Sequence, residues 1–303
     1  MLKCLILFSL LLILLAACGA QPRPTLTATP EPINTPAPTP APSPMGVGAG
    51  FRFSTYGPGY DPGPEYWASV GERMAAKFSA AKPRAIWIVG NYAGAGPLLT
   101  FPGSHQNLNI HFSLKDKNEE ALTLFDQRGV QVWLQVEPGD VPVEELIDVI
   151  LDRYQHHASV IGIGVDVEWF HSDGTPEGRA VTDAEAASWV HAARAHQPHY
   201  RVFLKHWEAE KMPPTYRDGL VFIDDSQQFE NLDQMVDEFA AWARTFAPAP
   251  VGFQYGYPDD KKWWGELADP AGEIGRALLG RVPNTEGLYW VDFTVLETFP
   301  PAD

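Results

Sequence analysis

The chain has 303 residues and a formal net charge of −16, with 22 Lys and Arg against 38 Asp and Glu. This acidity excludes nucleic acids and other polyanions as partners, because their binding requires clustered cations. Cys4 and Cys18 are the two cysteines, so the chain after residue 18 can hold no disulfide, thiolate catalyst or cysteine-ligated metal.

Residues 1–18 predict a secretory signal: Lys3 is followed by an apolar run from Leu5 to Leu15 that is too short for a membrane span. The sequence LAAC at residues 15–18 resembles the lipobox of bacterial lipoproteins. The resemblance implies cleavage before Cys18 and acylation of its sulfur, and several acyl chains anchor a protein stably. We therefore expect a bacterial lipoprotein held at a membrane, at the cell surface or in the periplasm. A plain signal peptide with an accidental cysteine is the alternative.

Residues 19–50 are rich in proline and threonine and contain few large apolar side chains. Such a segment cannot build a core and predicts a disordered, semi-rigid spacer. Residues 51–303 then remain for one folded domain, which is the ordinary size of a single barrel. We expect this domain to be a monomer.

Eight short apolar runs, each ending in polar residues, recur along this domain and predict parallel strands. The runs are FRFSTY (51–56), AIWIVGN (85–91), VQVWLQVE (130–137), VIGIGVDVEW (160–169), RVFLKHW (201–207), LVFIDD (220–225), VGFQYGY (251–257) and GLYWVDFTV (287–295). Amphipathic stretches separate most of them and predict helices, for example residues 65–81, 144–157, 182–197 and 231–246. Thr182 and Glu185 form a capping-box signal. This alternation predicts an α/β fold, a single (β/α)8 TIM barrel, with one irregular crossover where Pro213 and Pro214 leave little room for a helix.

The period-two pattern of the strands predicts which side chains face the barrel interior. In the fourth run the branched residues Ile161, Ile163, Val165 and Val167 are assigned outward, which turns Asp166 and Glu168 inward. The same reasoning applied to the other runs brings further polar and aromatic residues to the carboxyl ends of the strands, where barrel enzymes carry their sites. They are Tyr56, Asn91, Glu137, Lys205, Trp207, Asp224, Gln254, Trp290 and Asp292. We predict a substrate pocket there, with a structural polar network as the alternative.

Asp166 and Glu168 are the candidate catalytic pair. Their backbone anchors are about 6.6 Å apart along a strand, so one carboxyl can raise the pKa of the other and keep it protonated as a general acid. Lys205 on the adjoining strand can oppose this by ion pairing, and an Asp166–Lys205 structural bridge that leaves only Glu168 free is the alternative.

The sequence Asp166-Val167-Glu168-Trp169 resembles the second half of the strand-4 signature of family 18 glycoside hydrolases, the chitinase class. The resemblance implies that Glu168 protonates the glycosidic oxygen, that Asp166 orients an N-acetyl group and that Trp290 lies under the scissile sugar. Gly164 departs from that signature, which has an acid at this place. The chain also resembles family 25 lysozymes in its Asp-x-Glu pair, in Gln254-Tyr255 and in Val291-Asp292, which implies action on peptidoglycan.

We therefore predict a glycoside hydrolase that acts on an extracellular or cell-wall polysaccharide, without a cofactor and without a metal at its site. Trp169, Trp207, Tyr255, Tyr257, Trp263 and Trp264 are candidates for stacking on sugar rings. Three alternatives stay open: a Schiff-base enzyme using Lys205, a metal-dependent barrel, and a carbohydrate-binding lipoprotein without turnover.

Overall fold

A computed structural model of the protein describes residues 46–301, so the predicted signal, Cys18 and most of the predicted linker lie outside the described residues. The described part contains a closed parallel barrel, as predicted. Its strands are β1 (Gly48–Phe53), β2 (Lys82–Tyr92), β5 (Gln131–Val136), β6 (Val160–Asp166), β7 (Arg201–Lys205), β8 (Leu220–Asp224), β9 (Val251–Tyr255) and β10 (Thr285–Trp290). The short strands β3 (Pro97–Leu99) and β4 (His111–Phe112) extend the sheet from β2. Parallel pairing of β1 with both β2 and β10 closes the barrel.

Between residues 46 and 301, eight helices accompany the strands: α1 (Pro64–Ala75), α2 (Glu119–Arg128), α3 (Val143–Tyr154), α4 (Asp183–His196), α5 (Leu232–Phe246), α6 (Lys261–Trp264), α7 (Pro270–Arg281) and α8 (Val295–Thr298). The capping box of Thr182 and Glu185 starts α4 as predicted. The predicted irregular crossover is also confirmed, since only a 3-10 turn, Ala209–Lys211, lies between β7 and β8. Among the described residues, no helix combines the length and the apolar character that a membrane span requires.

The barrel interior is built in three layers. At the amino ends of the strands, the buried Glu286 accepts hydrogen bonds from Arg201 at 2.8 Å and lies 3.5 Å from Arg84. The middle layer is apolar and consists of Ile86, Trp133, Ile161, Phe203, Val221, Ile223 and Tyr289. Above it, at the carboxyl ends, the interior becomes polar. The middle layer thus closes the barrel as a packed core and supports a polar site on one side.

The assignment of Ile161 to the outside of the barrel is wrong. The pairing of β5 with β6 slips by one residue, so that Val132 pairs with Val160 and Trp133 pairs with Gly162. Gly162 has a φ of 151°, which side chains rarely adopt, and the bulge turns Ile161 into the apolar layer. Beyond the bulge the predicted alternation holds, because Ile163 and Val165 pack in the outer core.

Position 164 faces the barrel interior, and a glycine occupies it because a larger side chain there has no room. A Cβ at this position would lie 2.0 Å from the ring of Phe203. The acid that the chitinase signature has at this place is therefore excluded by the apolar layer of this barrel.

Candidate active site

Lys205, at the end of β7, is the centre of a buried acidic cluster. Its Nζ donates a hydrogen bond to Asp225 Oδ2 at 2.7 Å, lies 3.1 Å from Asp166 Oδ2 and contacts Glu168 Oε1. Together with Glu137 these residues are called the barrel mouth below, and all are less than one-tenth exposed. One lysine thus faces three carboxyl groups, so neutrality requires protons on some of them.

The protons are distributed unevenly across the cluster. Burial, together with the charge of Asp225, raises the pKa of Glu168 well above its ordinary value. Burial also raises the pKa of Asp166 to about 7, although Lys205 opposes the shift. Burial acts in the same direction on Asp225, but Lys205 outweighs it and lowers the pKa of this carboxyl. Asp225 is therefore the ionised partner of the lysine, while Glu168 retains a proton.

Lys205 itself is unsuited to Schiff-base chemistry. Burial alone would lower its pKa, but the charges of Asp166, Asp225 and Glu168 outweigh burial and raise the pKa well above the ordinary value. An amine must lose its proton before it can attack a carbonyl group. The cluster therefore favours a permanently charged lysine, which positions carboxylates.

Glu168 lies in a 3-10 turn, Val167–Trp169, that directly follows β6. With Asp225 and Trp207 it lines a cavity of about 380 Å³ that also includes Pro176, Ser226, Gln227, Gln228 and Glu238. Trp207 is 37% exposed, so one edge of this cavity offers an accessible aromatic ring. Asp166 does not line the cavity; its Oδ2 instead accepts a hydrogen bond from Gln135 at 3.0 Å.

Glu137 forms a second polar group at the mouth. Its Oε2 accepts hydrogen bonds from the Tyr56 hydroxyl and from the backbone N–H of Tyr92, both at 2.5 Å. Burial raises the pKa of Glu137 despite these bonds. The ring of Tyr92 also stacks on Trp169, with centroids 4.7 Å apart. Tyr56 and Glu137 thus lie at the end of the barrel where the sequence predicted them.

Asp224 was predicted to face the mouth, and this prediction is wrong by one residue. Ile223 lies in the apolar layer inside the barrel, whereas the ring of Phe222 stacks on Phe246 outside it. Asp224 therefore faces outward and its Oδ1 accepts a hydrogen bond from Ser226 Oγ at 2.7 Å. The next residue, Asp225, reaches Lys205 instead.

Trp290 was predicted to lie inside the barrel under a sugar, and this prediction is also wrong. The ring is fully buried in the outer core, where it packs edge-on against Tyr255 and Trp264. Its Nε1 donates a hydrogen bond to Thr294 Oγ1 at 2.9 Å. Tyr289 is the residue of β10 that faces the interior. The tryptophan floor implied by the chitinase resemblance is therefore absent at this position.

Asp292, Gln254 and Asn91 face the interior but are held by neighbouring side chains. Asp292 pairs with Arg52 and accepts hydrogen bonds from Ser54 N and Oγ at 2.6 Å, which ties the end of β10 to β1. The Oε1 atom of Gln254 accepts a bond from Tyr257 at 3.3 Å, and Asn91 Oδ1 accepts one from Thr55 at 3.0 Å. The Nε2 atom of Gln254 and the Nδ2 atom of Asn91 have no hydrogen-bond partner among the described residues.

Arg52 and Asp225 were missed as site residues by sequence reasoning. Arg52 lies in a predicted strand, but a charged residue between two phenylalanines gives no direct indication of its partner. Asp225 was read as part of the predicted sixth strand, and only its neighbour Asp224 was assigned to the interior. Among the aromatic candidates, Tyr255 and Trp264 are buried in the outer core, between the strands and the helices, whereas Trp207 remains accessible to solvent.

Comparison with solved structures places the chain among barrel proteins. A candidate α-L-fucosidase from Bacteroides thetaiotaomicron matches 84% of this chain and 91% of its own length, at 10% sequence identity and a TM-score of 0.50. An endocellulase from Pyrococcus horikoshii matches 82% of this chain and 85% of its own, at 14% identity and a TM-score of 0.44. A β-glucuronidase from an uncultured Clostridium sp. matches 57% of this chain at 10% identity and a TM-score of 0.38.

The chain spans 35% of the length of that β-glucuronidase. No family profile and no curated protein sequence matches the chain. The likeness to the fucosidase structure supports the (β/α)8 barrel fold. Because one fold supports many activities, the function must be argued from the mouth of this barrel.

Proposed function

We propose that the protein is a glycoside hydrolase that acts on an extracellular or cell-wall polysaccharide, with Glu168 as its general acid. The observation that carries this proposal is the pairing of Glu168 and Asp225 on one cavity wall. Burial keeps a proton on Glu168, while Lys205 keeps Asp225 ionised. Most glycosidases use a pair of carboxyl groups in catalysis, one of them protonated and the other ionised.

In the proposed reaction, Glu168 donates its proton to the glycosidic oxygen as the C–O bond breaks. Positive charge then develops on the sugar carbon, and the Asp225 carboxylate stabilises it. Water adds to that carbon and returns a proton to Glu168, which completes the hydrolysis. We assign the stabilising carboxylate to Asp225 rather than to the predicted Asp166, because Asp225 lines the cavity and Asp166 does not.

Trp207 is proposed to stack on a sugar ring of the substrate. It lines the same cavity as Glu168 and has more than a third of its surface exposed. Flat aromatic faces suit the apolar faces of pyranose rings. Three carboxyl groups, those of Glu168, Asp225 and Glu238, line the cavity and favour a neutral or basic glycan over an acidic one.

A carbohydrate-binding protein without turnover is the second candidate. Glu168 and Asp225 both contact the same Lys205 Nζ, so their carboxyl groups lie close together. In most retaining glycosidases the two carboxyl groups are roughly 5–5.5 Å apart, and in inverting enzymes roughly 6.5–9.5 Å. A close pair of carboxyl groups suits the binding of sugar hydroxyls, and this contact with one lysine is the observation that favours the second candidate.

Measured release of reducing ends separates the two candidates. The full-length chain, solubilised in detergent, is incubated with chitin oligomers, peptidoglycan and β-glucans. Release from one of these polymers is the expected result for a hydrolase. Binding to a polymer in a pull-down assay without release would favour the second candidate, and neither binding nor release would contradict both.

We also propose that the protein is a lipoprotein anchored through Cys18, with residues 19–50 as a spacer. At about 3 Å per residue in an extended polyproline conformation, the spacer could hold the barrel roughly 75 Å or more from a membrane. Such reach would suit a polymeric substrate outside the cell.

The exchange Cys18→Ala tests the anchor. We expect the protein produced in a bacterial host to move from the membrane fraction to the soluble fraction, because the acylated sulfur is lost. Cys4→Ala is the matched control, since this cysteine lies before the proposed cleavage site and should leave fractionation unchanged. Metabolic labelling with a radioactive fatty acid should mark the parent chain and the control. Equal membrane association of the Cys18→Ala variant would contradict the anchor.

A further inference from the structure

Outside the barrel mouth, two consecutive histidines and a glutamate converge on the outer layer. His156 and His157 follow the end of α3, and Glu119 is the first residue of α2. Each offers one ligand atom, and the three atoms lie within 4.8 Å of one another. We propose that these side chains bind a divalent transition-metal ion, with zinc as the best fit. This site is independent of the proposed hydrolase activity.

The buried histidine provides the strongest observation. The His157 side chain is only 3% exposed, and its Nε2 atom has no hydrogen-bond partner among the described residues. A buried polar atom without a partner is costly, so a structure that retains one requires an explanation. A metal ion bound to Nε2 would give this buried nitrogen its missing partner.

The other nitrogen of this ring is held so that Nε2 is free to bind a metal. His157 Nδ1 lies 2.7 Å from Asp126 Oδ2, and the other oxygen of Asp126 accepts a hydrogen bond from Ser159 N at 2.7 Å. When Nδ1 donates its proton to the Asp126 carboxylate, Nε2 is the ring nitrogen whose lone pair can bind an ion. A carboxylate behind a histidine is the usual outer support of a metal ligand.

Two of the three distances between ligand atoms match those around a tetrahedral ion, and the third is within 4.8 Å. Glu119 Oε1 lies 3.4 Å from His157 Nε2 and 3.4 Å from His156 Nε2. Two ligands that each bind zinc at about 2.0–2.1 Å with tetrahedral angles are separated by roughly 3.3–3.4 Å. The contact between Glu119 and His157 is not a well-aligned hydrogen bond, because Nε2 remains unpartnered. The oxygen thus lies beside the nitrogen, as two ligands of one ion do.

The chemistry of the ligands also limits which ion can bind. Two imidazoles and one carboxylate suit zinc and its neighbours in the first transition row, whereas magnesium and calcium prefer oxygen ligands alone. His156 and Glu119 are partly exposed, so an ion can enter from solvent and a water molecule can complete its coordination. Because the ligands come from α2 and from the segment before β6, the ion would join two parts of the outer layer.

Calorimetric titration of the full-length, tag-free chain with ZnCl2, after treatment with a chelator, tests the site. We expect one zinc ion per chain and a rise in the unfolding temperature when zinc is added, because the ion binds the folded state. Both effects should disappear in His157→Ala and in His156→Ala. His199→Ala is the matched control, since it removes an exposed histidine elsewhere and should retain both effects.

Two further measurements distinguish a built site from loosely bound zinc. Asp126→Asn should weaken zinc binding roughly 10- to 100-fold, because the support of His157 is lost. Cobalt in place of zinc should give the intense visible absorption of four-coordinate cobalt, and His157→Ala should abolish it. Circular dichroism of each variant without metal verifies that it is folded. No binding at micromolar zinc, or equal binding by His157→Ala, would overturn the proposal.

Discussion

Glu168→Gln is expected to lower kcat/KM on the natural glycan by about 10²- to 10⁴-fold, the usual contribution of a general acid. Glutamine has nearly the size of glutamate and can still contact Lys205, but it has no acid proton to donate. The decrease should therefore appear in kcat, with KM little changed. The test compares initial rates of reducing-end release by the variant and the parent chain.

The choice of leaving group distinguishes an acid from a residue that only binds. An aryl glycoside with an acidic phenol needs little protonation, so Glu168→Gln should reduce its hydrolysis far less than that of the natural glycan. Glu266→Gln is the matched control, because this glutamate is exposed and follows α6 outside the cavity. Equal losses on both substrates would remove Glu168 from the role of acid.

Lys205→Met is expected to cost about 3–5 kcal/mol in the free energy of unfolding near neutral pH, because it removes the cation from a buried cluster of three carboxyl groups. The methionine fills a similar volume, so lost packing contributes little. The remaining carboxyl groups must then stay buried as uncompensated charges or take up protons. Urea unfolding monitored by tryptophan fluorescence measures this loss.

The loss in the free energy of unfolding caused by Lys205→Met should grow as the pH rises. Without the lysine, burial raises the pKa values of all three carboxyl groups above their unfolded values of about 4. At a pH between the pKa of a carboxyl group in the unfolded state and its raised pKa in the folded state, the folded state binds more protons than the unfolded state. The free energy of unfolding therefore falls with increasing pH. The free energy of unfolding of the variant should therefore be closest to that of the parent chain near pH 4 and furthest below it near pH 8. Lys262→Met, at an exposed lysine, should lose less than 1 kcal/mol at either pH. A similar small loss for Lys205→Met would show that the cluster is not charged as described.

The barrel could be predicted because its periodic signals are strong and local. Each run of apolar residues ends in polar residues, and the intervening stretches have helical spacing, so strand count and order follow directly. Asp166, Glu168, Lys205 and Glu137 were placed correctly at the mouth because polar and apolar residues alternate at the carboxyl ends of their strands, as in Leu134-Gln135-Val136-Glu137.

The two wrong site assignments come from strands that are apolar in both alternating positions. In Leu220–Asp224 and Thr285–Trp290 the interior and the outer core both receive large apolar side chains, so period two cannot decide which set faces inward. Asp224 and Trp290 were misplaced for this reason. Ile161 was misplaced because a bulge at Gly162 shifts the register, and one glycine in a strand does not reveal where the extra residue lies.

The cluster of Glu119, His156 and His157 could not be predicted from spacing. The histidines were read as the end of a helix, and the glutamate lies on another helix before the intervening strand. Only the packing of α2 against the segment before β6 brings them together.

The protonation state of Glu168 tests the central claim most directly. Carbon-13 NMR of the full-length chain labelled at glutamate side-chain carboxyl groups follows each group through a pH titration, and the Glu168→Gln spectrum identifies the signal of Glu168. The predicted result is a midpoint well above the ordinary value of 4.5, with a proton retained beside an ionised Asp225. A midpoint at or below 4.5 would leave Glu168 ionised at neutral pH, without a proton to donate, and would contradict its role as the general acid.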